Sequence, residues 1–224
     1  MKSLFLGTLL ANLFLFQTAL ARPILSDSQK SYAAVCLEED ESPDRLIAIC
    51  ETALARASVL NADTRDMQVS LARAYDNDGQ PQTAITIVAD VLEHDPNHGA
   101  ALNVLGWAHW GLSDYDAAID AFERALNTGA SAQSFAGLAS SGRYMGTIEE
   151  DEYVTLIDTA LAISPDYLWA HREKAWFYIE SGRPNEGEQI LKAALQYDDK
   201  DPWTLYALGV ACTIRVNQVL LLPG

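Results

Sequence analysis

The side chains in this sequence best suited to chemistry are tryptophans and arginines, and the chemistry they favour is binding. Two tryptophans, Trp107 and Trp110, stand three residues apart in the stretch VLGWAHWG (104–111). Trp, Tyr and Arg are enriched among residues that dominate binding interfaces, because each combines a large contact area with a polar or charged group. An arginine over an aromatic ring adds a cation–π attraction of about 0.5 to 2 kcal/mol. We therefore expect a binding surface at these tryptophans.

Motifs for catalysis or metal binding are weak by comparison. The sequence has no phosphate-binding loop, no Gly-x-Ser-x-Gly elbow and no His-Glu-x-x-His. HDPNH (94–98) is the nearest approach to a metal site, but Pro96 ends a helix there, so its histidines fall on different faces. The acidic runs at 38–42 and 149–152 lack the alternating ligands and turn glycine of a calcium loop. We predict no enzyme activity, no metal and no cofactor.

Acidic residues outnumber basic ones, 31 against 15, which gives a net charge of -16. Binding to phosphates needs a surplus of lysine and arginine, so the chain is a poor candidate for nucleic acid or an anionic membrane as its main partner, and we predict no nucleic-acid binding. Apolar residues make up 49% of the chain, enough to bury a core in one domain or one extended array.

The first residues have the layout of a cleaved secretory signal peptide. Lys2 is followed by an apolar run over 4–16 and by Ala-Leu-Ala at 19–21. The alternative, an uncleaved anchor, is disfavoured because a membrane span needs about 20 apolar residues. We predict that residues 1–21 are removed, that the protein is secreted or resides in a bacterial periplasm, and that it is not stably inserted in the membrane afterwards.

Export permits a disulfide among the three cysteines, Cys36, Cys50 and Cys212. Cys36 and Cys50 are the natural pair because both lie in one short helical hairpin. The alternative is two buried free thiols. In either case Cys212 is predicted to be unpaired.

An internal repeat with an offset of 34 residues is the strongest pattern in the chain. LARAYDNDGQPQTAITIVADVLEHDP (71–96) aligns with LGWAHWGLSDYDAAIDAFERALNTGA (105–130). Small residues at this period resemble the tetratricopeptide repeat, a helix-turn-helix unit. The residues that carry the resemblance are Tyr75, Ala84, Pro96, Leu105, Gly106, Ala118, Phe122 and Ala125. The resemblance implies an all-α fold, a solenoid of helix-turn-helix repeats.

The offset divides the chain into helical units and a final lone helix. The units are 27–62, 65–98, 99–131, 132–167 and 168–201, and the lone helix is 202–213. We group them as a repeat-like hairpin at 22–64 with the disulfide, a tetratricopeptide array at 65–213 and a tail at 214–224. The tail is apolar, so we predict that it packs back on the last helix or mediates self-association.

Cap residues and glycines mark the boundaries inside the units. Proline, hydroxyl and acidic residues suit a helix start, and glycine can take positive φ in the turn before it. The predicted starts of the second helices are Ser42-Pro43, Gln80-Pro81, Ser113, Thr147 and Arg183-Pro184, and the predicted turn glycines are Gly79, Gly111, Gly146 and Gly182. Gly106 and Ala118 are predicted to be small because two helices cross closely there.

Trp107 and Trp110 fall on a face of their helix other than the stripe that packs within the unit. The resemblance implies that this second face lines a concave groove. Residues at the same repeat positions are Arg73, Asp76, Asn103, Trp107, Trp110, Arg143, Tyr144, Trp169, Arg172, Trp176, Trp203 and Tyr206. All five tryptophans belong to this set. The alternative is that the rings only fill space between units, but the accompanying arginines favour recognition.

The leading interpretation is a non-catalytic exported interaction module or adaptor. Its groove would bind a peptide segment of another protein, with arginines contacting a carboxylate and rings holding apolar side chains. One alternative is cell-wall glycan binding through the tryptophans, which would tolerate loss of the arginines. Another is an accessory subunit of an envelope enzyme complex, which would co-purify with an activity.

Overall fold

The computed structural model describes residues 31–38, 41–59 and 64–220, and the regular structure in these ranges is α-helical. The helices are α1 (Tyr32–Glu38), α2 (Pro43–Val59), α3 (Arg65–Asn77), α4 (Pro81–His94), α5 (Gly99–Gly111), α6 (Tyr115–Thr128), α7 (Ala132–Met145), α8 (Glu150–Ile163), α9 (Leu168–Glu180), α10 (Pro184–Ala194) and α11 (Pro202–Leu220). Each helix packs on the next, and α3–α5, α5–α7 and α9–α11 also pack together. The predicted all-α solenoid of helix-turn-helix repeats is confirmed.

Three of the predicted turn glycines have positive φ, namely Gly79 at 77°, Gly146 at 70° and Gly182 at 77°. Glycine accepts this conformation without the steric cost that a side chain brings. Two of these turns lead into helices whose first residue is a proline, Pro81 and Pro184. Proline is suited to this position because the first N–H of a helix has no partner in the helix.

The turn between α5 and α6 differs from the prediction. Gly111 remains within α5, and the positive φ of 61° belongs to Ser113. Ser113 follows Gly79 by one repeat period, so it occupies the turn position of the unit, and Asp114 rather than Ser113 is the N-cap of α6. The backbone of the turn therefore does not require Gly111 to be glycine.

The first unit contains the predicted disulfide, between Cys36 of α1 and Cys50 of α2, with Cα atoms 5.0 Å apart. Both cysteines are fully buried against Leu46 and Met67, so the bond lies inside the core that joins α1, α2 and α3. Closing a loop of about 15 residues contributes roughly 3 kcal/mol in the chain-entropy model. Cys212 is a free cysteine, as predicted.

The centre of the array is built around Phe122, which is fully buried. A Cβ atom on Gly106 of α5 would lie 2.6 Å from the ring, and one on Gly137 of α7 would lie 2.2 Å from it. Both distances are far below van der Waals contact, so the ring fills the space that the two absent side chains leave. Gly106 is small for the predicted reason, a close crossing of α5 and α6.

The last helix, α11, continues to Leu220, beyond its predicted end at residue 213. The prediction that the tail folds back is wrong for residues 214–220, which extend the helix instead. Self-association through the tail stays a prediction. The predicted signal peptide, residues 1–21, lies outside the described residues. In the part of the chain that is described, no helix combines the length and the apolar character needed to cross a bilayer.

Candidate functional site

A cavity of about 870 Å³ lies along α3 and α5 and reaches the start of α9, and we refer to it as the groove. This volume is in the range of cavities that bind small ligands or short segments of chain. Six of the residues predicted for a binding face line it, namely Arg73, Asp76, Asn103, Trp107, Trp110 and Trp169. The repeat positions of α3 and α5 and the first turn of α9 therefore do converge on one surface.

Three tryptophans form the aromatic wall of the groove. The ring centroid of Trp107 is 4.6 Å from that of Trp169 and 5.9 Å from that of Trp110, both in edge-to-face geometry. Trp107 also meets the buried Phe122 ring edge-to-face at 5.2 Å. Each such pair contributes about 0.5 to 1.5 kcal/mol beyond its buried area, so the rings are held in place before any ligand arrives. The rings are half-buried and serve both packing and the groove surface.

Asn103 lines the groove, but its amide is already occupied. The Nδ2 group donates to the Gly99 carbonyl at 3.2 Å and to the Ser131 hydroxyl at 3.3 Å. The Oδ1 atom accepts from the Ser134 hydroxyl at 2.7 Å. Ser131 caps the start of α7. The polar atoms of Asn103 therefore join α5 to the start of α7 and leave little capacity for a ligand.

The charged groups on the wall of the groove are Arg73 and Asp76, one turn apart on α3. Burial raises the pKa of Tyr167, and the nearby positive charges of Arg172 and Arg73 oppose that shift without cancelling it. The Asp76 carboxylate accepts no hydrogen bond and forms no ion pair with any described residue. Burial raises the pKa of Asp76 to about 6. The groove therefore holds a carboxylate that has lost part of its hydration without gaining a partner among the described residues.

We expect Asp76→Asn to stabilise the protein at neutral pH. The folded state holds the Asp76 proton more tightly than the unfolded chain, where the pKa is near 3.8. The stabilisation from that proton is fully present below about pH 4 and is lost as the pH rises through about 6. Asparagine stays neutral, so the difference in unfolding free energy between variant and wild type should widen between about pH 4 and pH 6.

Urea denaturation at a series of pH values measures this difference. Glu123→Gln is the matched control, because it removes an exposed carboxylate on α6. The control should show no comparable change with pH. If the difference in unfolding free energy between Asp76→Asn and wild type stayed constant over the whole pH range, the raised pKa of Asp76 would be contradicted.

Arg143 does not line the groove, contrary to the prediction. Its guanidinium forms an ion pair with Glu180 of α9. It also lies over the rings of Tyr153 and Phe177, 5.4 and 5.6 Å from their centroids. Arg143 therefore joins α7 to α8 and α9 away from the groove.

Tyr144 lies at the margin of the groove rather than in its lining. It stacks on Tyr115 with centroids 5.6 Å apart and meets the edge of Trp110 at 5.8 Å. Its side chain is exposed, so it extends the aromatic wall toward solvent.

Arg172 is also held outside the groove, by an ion pair of 2.9 Å with Asp201. Asp201 in turn accepts from the Thr204 backbone N–H at 2.7 Å, at the start of α11. Partial burial opposes ionisation of Asp201, but hydrogen bonds from Thr204 and Arg172 prevail and lower its pKa. Because both partners are mostly buried, Arg172 fixes α9 to α11 and is not available to a ligand.

The remaining predicted residues belong to the end of the array. Trp176 packs against the cluster that joins α9, α10 and α11. Trp203 and Tyr206 are on α11, with exposed fractions of 67% and 63%. Of the five tryptophans predicted to share one face, Trp107, Trp110 and Trp169 line this groove, and Trp176 and Trp203 lie outside it.

Tyr167 lines the groove and was not among the predicted residues. It precedes α9 as the N-cap residue, and its ring stacks with Trp169 at 6.1 Å. Projection of helix positions does not reach residues in the connecting turns. An aromatic residue two positions before Trp169 was the available signal.

The histidines of HDPNH have structural partners. His98 accepts from the Ala101 backbone N–H at 3.3 Å through Nδ1, and its Nε2 lies 3.3 Å from Asp66. His94 Nδ1 lies 2.9 Å from the Asp90 carbonyl within α4. Among the residues that the structure describes, no group of three or more His, Cys, Asp and Glu side chains is arranged to hold a metal ion.

Comparison with known proteins places these helices in a shared architecture. Two models of the tetratricopeptide repeat match residues 69–135 and 154–208, together more than half of the chain. A thermophilic repeat protein of this type from Thermus thermophilus has a similar structure, with a TM-score of 0.66 and 18% identity over 76% of this chain and 91% of that chain. MamA gives a TM-score of 0.50 and 21% identity over 77% and 96%.

A chain of the APC/C hetero-tetramer Cut9–Hcn1 gives a TM-score of 0.62 and 19% identity over 80% of this chain but only 34% of that chain. No curated protein matches the sequence. At these identities the similarity concerns the fold. The matched ranges contain most of the helices that form the groove.

Proposed function

The chain belongs to the tetratricopeptide repeat family, and we propose that it is an adaptor that binds a peptide segment of another protein in the groove. Members of this family are typically non-catalytic interaction modules. The observation that carries this proposal is the aromatic wall of Trp107, Trp110 and Trp169 beside a cavity of about 870 Å³. Large rings at the centre of a concave surface are typical binding anchors.

The wall is suited to binding because its geometry is fixed in advance. The edge-to-face contacts among the rings and with Phe122 restrict the side chains without a ligand. A ligand then loses less free energy to ordering of the protein on binding. An extended segment could place apolar side chains against the rings while its backbone runs along α3 and α5.

Gly111 offers a way to block the groove without disturbing the fold. It lines the groove in helical conformation, and a Cβ there would have only ordinary contacts, 3.9 Å to Pro81 and 4.0 Å to Asp76. Gly111→Ala should therefore fold and bind like wild type. Gly111→Phe should fold but place a ring in the groove. For peptides selected on the wild-type protein, we expect the affinity of this variant to be at least about tenfold lower.

The experiment selects peptides from a random library with the full chain and then measures their affinity for the three proteins. Tryptophan emission reports binding, and thermal unfolding checks that both variants are folded. Equal affinity of Gly111→Phe and wild type for every selected peptide would show that the groove is not the binding site.

Glycan binding is a weaker candidate on the geometry of the rings. A sugar ring stacks on a free aromatic face, whereas Trp107 makes edge-to-face contacts with three other rings. Cell-wall oligosaccharides should accordingly fail to change the emission of the wild-type protein. An emission change that survives in Gly111→Ala and disappears in Gly111→Phe would favour the glycan instead.

Association with an envelope enzyme would be detected by co-purification of an activity.

Export to an oxidising compartment, the periplasm or the cell exterior, completes the proposal. It rests on the signal-like residues 1–21 and is supported by the buried pair Cys36–Cys50, because disulfides persist outside the reducing cytosol. Mass measurement of the protein recovered from its native cells checks this. Retention of residues 1–21 in a protein with free Cys36 and Cys50 thiols would contradict export.

A further inference from the structure

The charges in the groove differ from those expected for a site that binds acidic segments. Of the three arginines predicted to contact a carboxylate, Arg143 is paired with Glu180 and Arg172 with Asp201, both outside the groove. Arg73 alone lines the groove, at the end where Tyr167 lies.

Asp76 is the negatively charged residue of the groove, and its carboxylate faces open space rather than another side chain of the described residues. One of its oxygens is 4.0 Å from the position that a Cβ of Gly111 would take, immediately after Trp110. Because Gly111 has no side chain, the space in front of the carboxylate is open to the groove. The glycine is not required by the turn, since Ser113 carries the positive φ.

A half-buried carboxylate beside aromatic rings is complementary to a cation. Partial loss of hydration makes the ionised carboxylate unfavourable, and a bound cation removes much of that cost. Tryptophan faces and edges also accept the apolar stem of a lysine or arginine, and the ring attracts the cationic head. The net charge of -16 attracts cationic segments from a distance.

We propose that the groove selects peptide segments with a basic side chain, lysine or arginine, whose cation pairs with Asp76 while its stem lies along the wall of Trp107, Trp110 and Trp169. This inference rests on the proposed peptide-binding function and names the chemistry of the ligand. The arginines led us to expect a negatively charged ligand, whereas this inference predicts a positively charged one. It assigns Asp76 as the residue that determines specificity.

The test uses the full chain and three pools of short capped peptides. The pools share the same randomised apolar flanks and differ at one central position, which is Lys, Gln or Glu. Capping removes the terminal charges, so the central residue sets the charge of each peptide. Capture is measured for wild type, Asp76→Asn, Gly111→Phe and the charge-matched control Glu123→Gln.

Wild type and Glu123→Gln should capture the Lys pool at least about tenfold better than the Gln pool, and the Glu pool least. Asp76→Asn should capture the Lys and Gln pools equally while keeping the preference for apolar flanks. Gly111→Phe should capture none of them well. This pattern supports the pairing with Asp76.

Equal capture of the Lys and Gln pools by wild type, or preference for the Glu pool, would overturn the proposed cation selectivity. If that capture is still lost in Gly111→Phe, the peptide-binding function stands without it. A Lys preference that persists in Asp76→Asn would assign the selectivity to another group. Failure of wild type to capture any pool would overturn both proposals.

Discussion

Replacing Gly137 by alanine should lower the free energy of unfolding by about 1 to 3 kcal/mol or more. A Cβ at this position would lie 2.2 to 2.5 Å from three atoms of the Phe122 ring. The ring cannot move aside, because it is fully buried and Gly106 bounds it on α5. Relief requires α6 and α7 to separate, which also loosens the contact between Phe122 and Trp107.

Gly209→Ala is the matched control for this substitution. Gly209 lies inside α11, and apart from its chain neighbours and the backbone of its own helix, no heavy atom of the described residues stands within 4 Å of where its Cβ would be. Alanine is a better helix former than glycine by about 1 kcal/mol, so this variant should be slightly more stable than wild type. Urea denaturation of both variants should give effects of opposite sign. Equal effects of Gly137→Ala and Gly209→Ala would show that the contact with Phe122 does not limit the fold.

A double variant separates overpacking from a general intolerance of alanine. Leucine is smaller than phenylalanine, so Phe122→Leu should cost stability by itself because it leaves a cavity. Combined with Gly137→Ala, it provides room for the new methyl group. The two changes should therefore cost less together than the sum of their separate effects.

The repeat period predicted the fold because the same small side chains are needed wherever two helices of a unit cross. Gly106 illustrates this, since its place in the 34-residue period and its contact with Phe122 have the same cause. Gly137 was not singled out from the sequence, because its contact is with Phe122 of the preceding unit and is seen only in the structure. Proline starts such as Pro81 and Pro184 were predictable from local chemistry alone.

The composition of the groove was only partly predictable, because a helix face does not reveal what neighbouring units place against it. Arg143 and Arg172 do not line the groove, because each forms an ion pair with an acidic residue later in the chain. Those partners, Glu180 and Asp201, lie 37 and 29 residues away and follow no shared spacing. Interhelical ion pairs of this kind cannot be inferred from sequence spacing.

Gly111 was singled out from the sequence, but for the wrong reason: it was predicted to be a turn glycine, and it lies inside α5 and lines the groove. As a glycine near the end of a helix it is typical of a turn, yet the turn uses Ser113. Its position beside Trp110 and Asp76 gives the missing side chain a different consequence, an open approach to the carboxylate. The pair of tryptophans in VLGWAHWG and the glycine that follows them are therefore parts of one surface.

Trp169→Ala should reduce peptide affinity more than any other single truncation in the groove. The Trp169 ring is the link between units, 4.6 Å from Trp107 and 6.4 Å from Trp110, and it stacks with Tyr167. Its removal takes away contact area and also releases the other two tryptophans from their fixed orientation. Hot-spot residues, which cluster near the centre of an interface, cost at least about 2 kcal/mol when truncated, and we expect a loss of this size, about thirtyfold in affinity.

Trp203→Ala is the control, since Trp203 is 67% exposed on α11 and lies outside the groove. It should leave affinity for the selected peptides unchanged. Trp169→Phe should restore much of the affinity lost in Trp169→Ala, because phenylalanine keeps an aromatic ring against Trp107. Titration calorimetry below the unfolding temperature of every variant separates binding from stability. If Trp169→Ala and Trp203→Ala bind equally well, the aromatic wall has a packing role only, and the peptide site must lie elsewhere on the array.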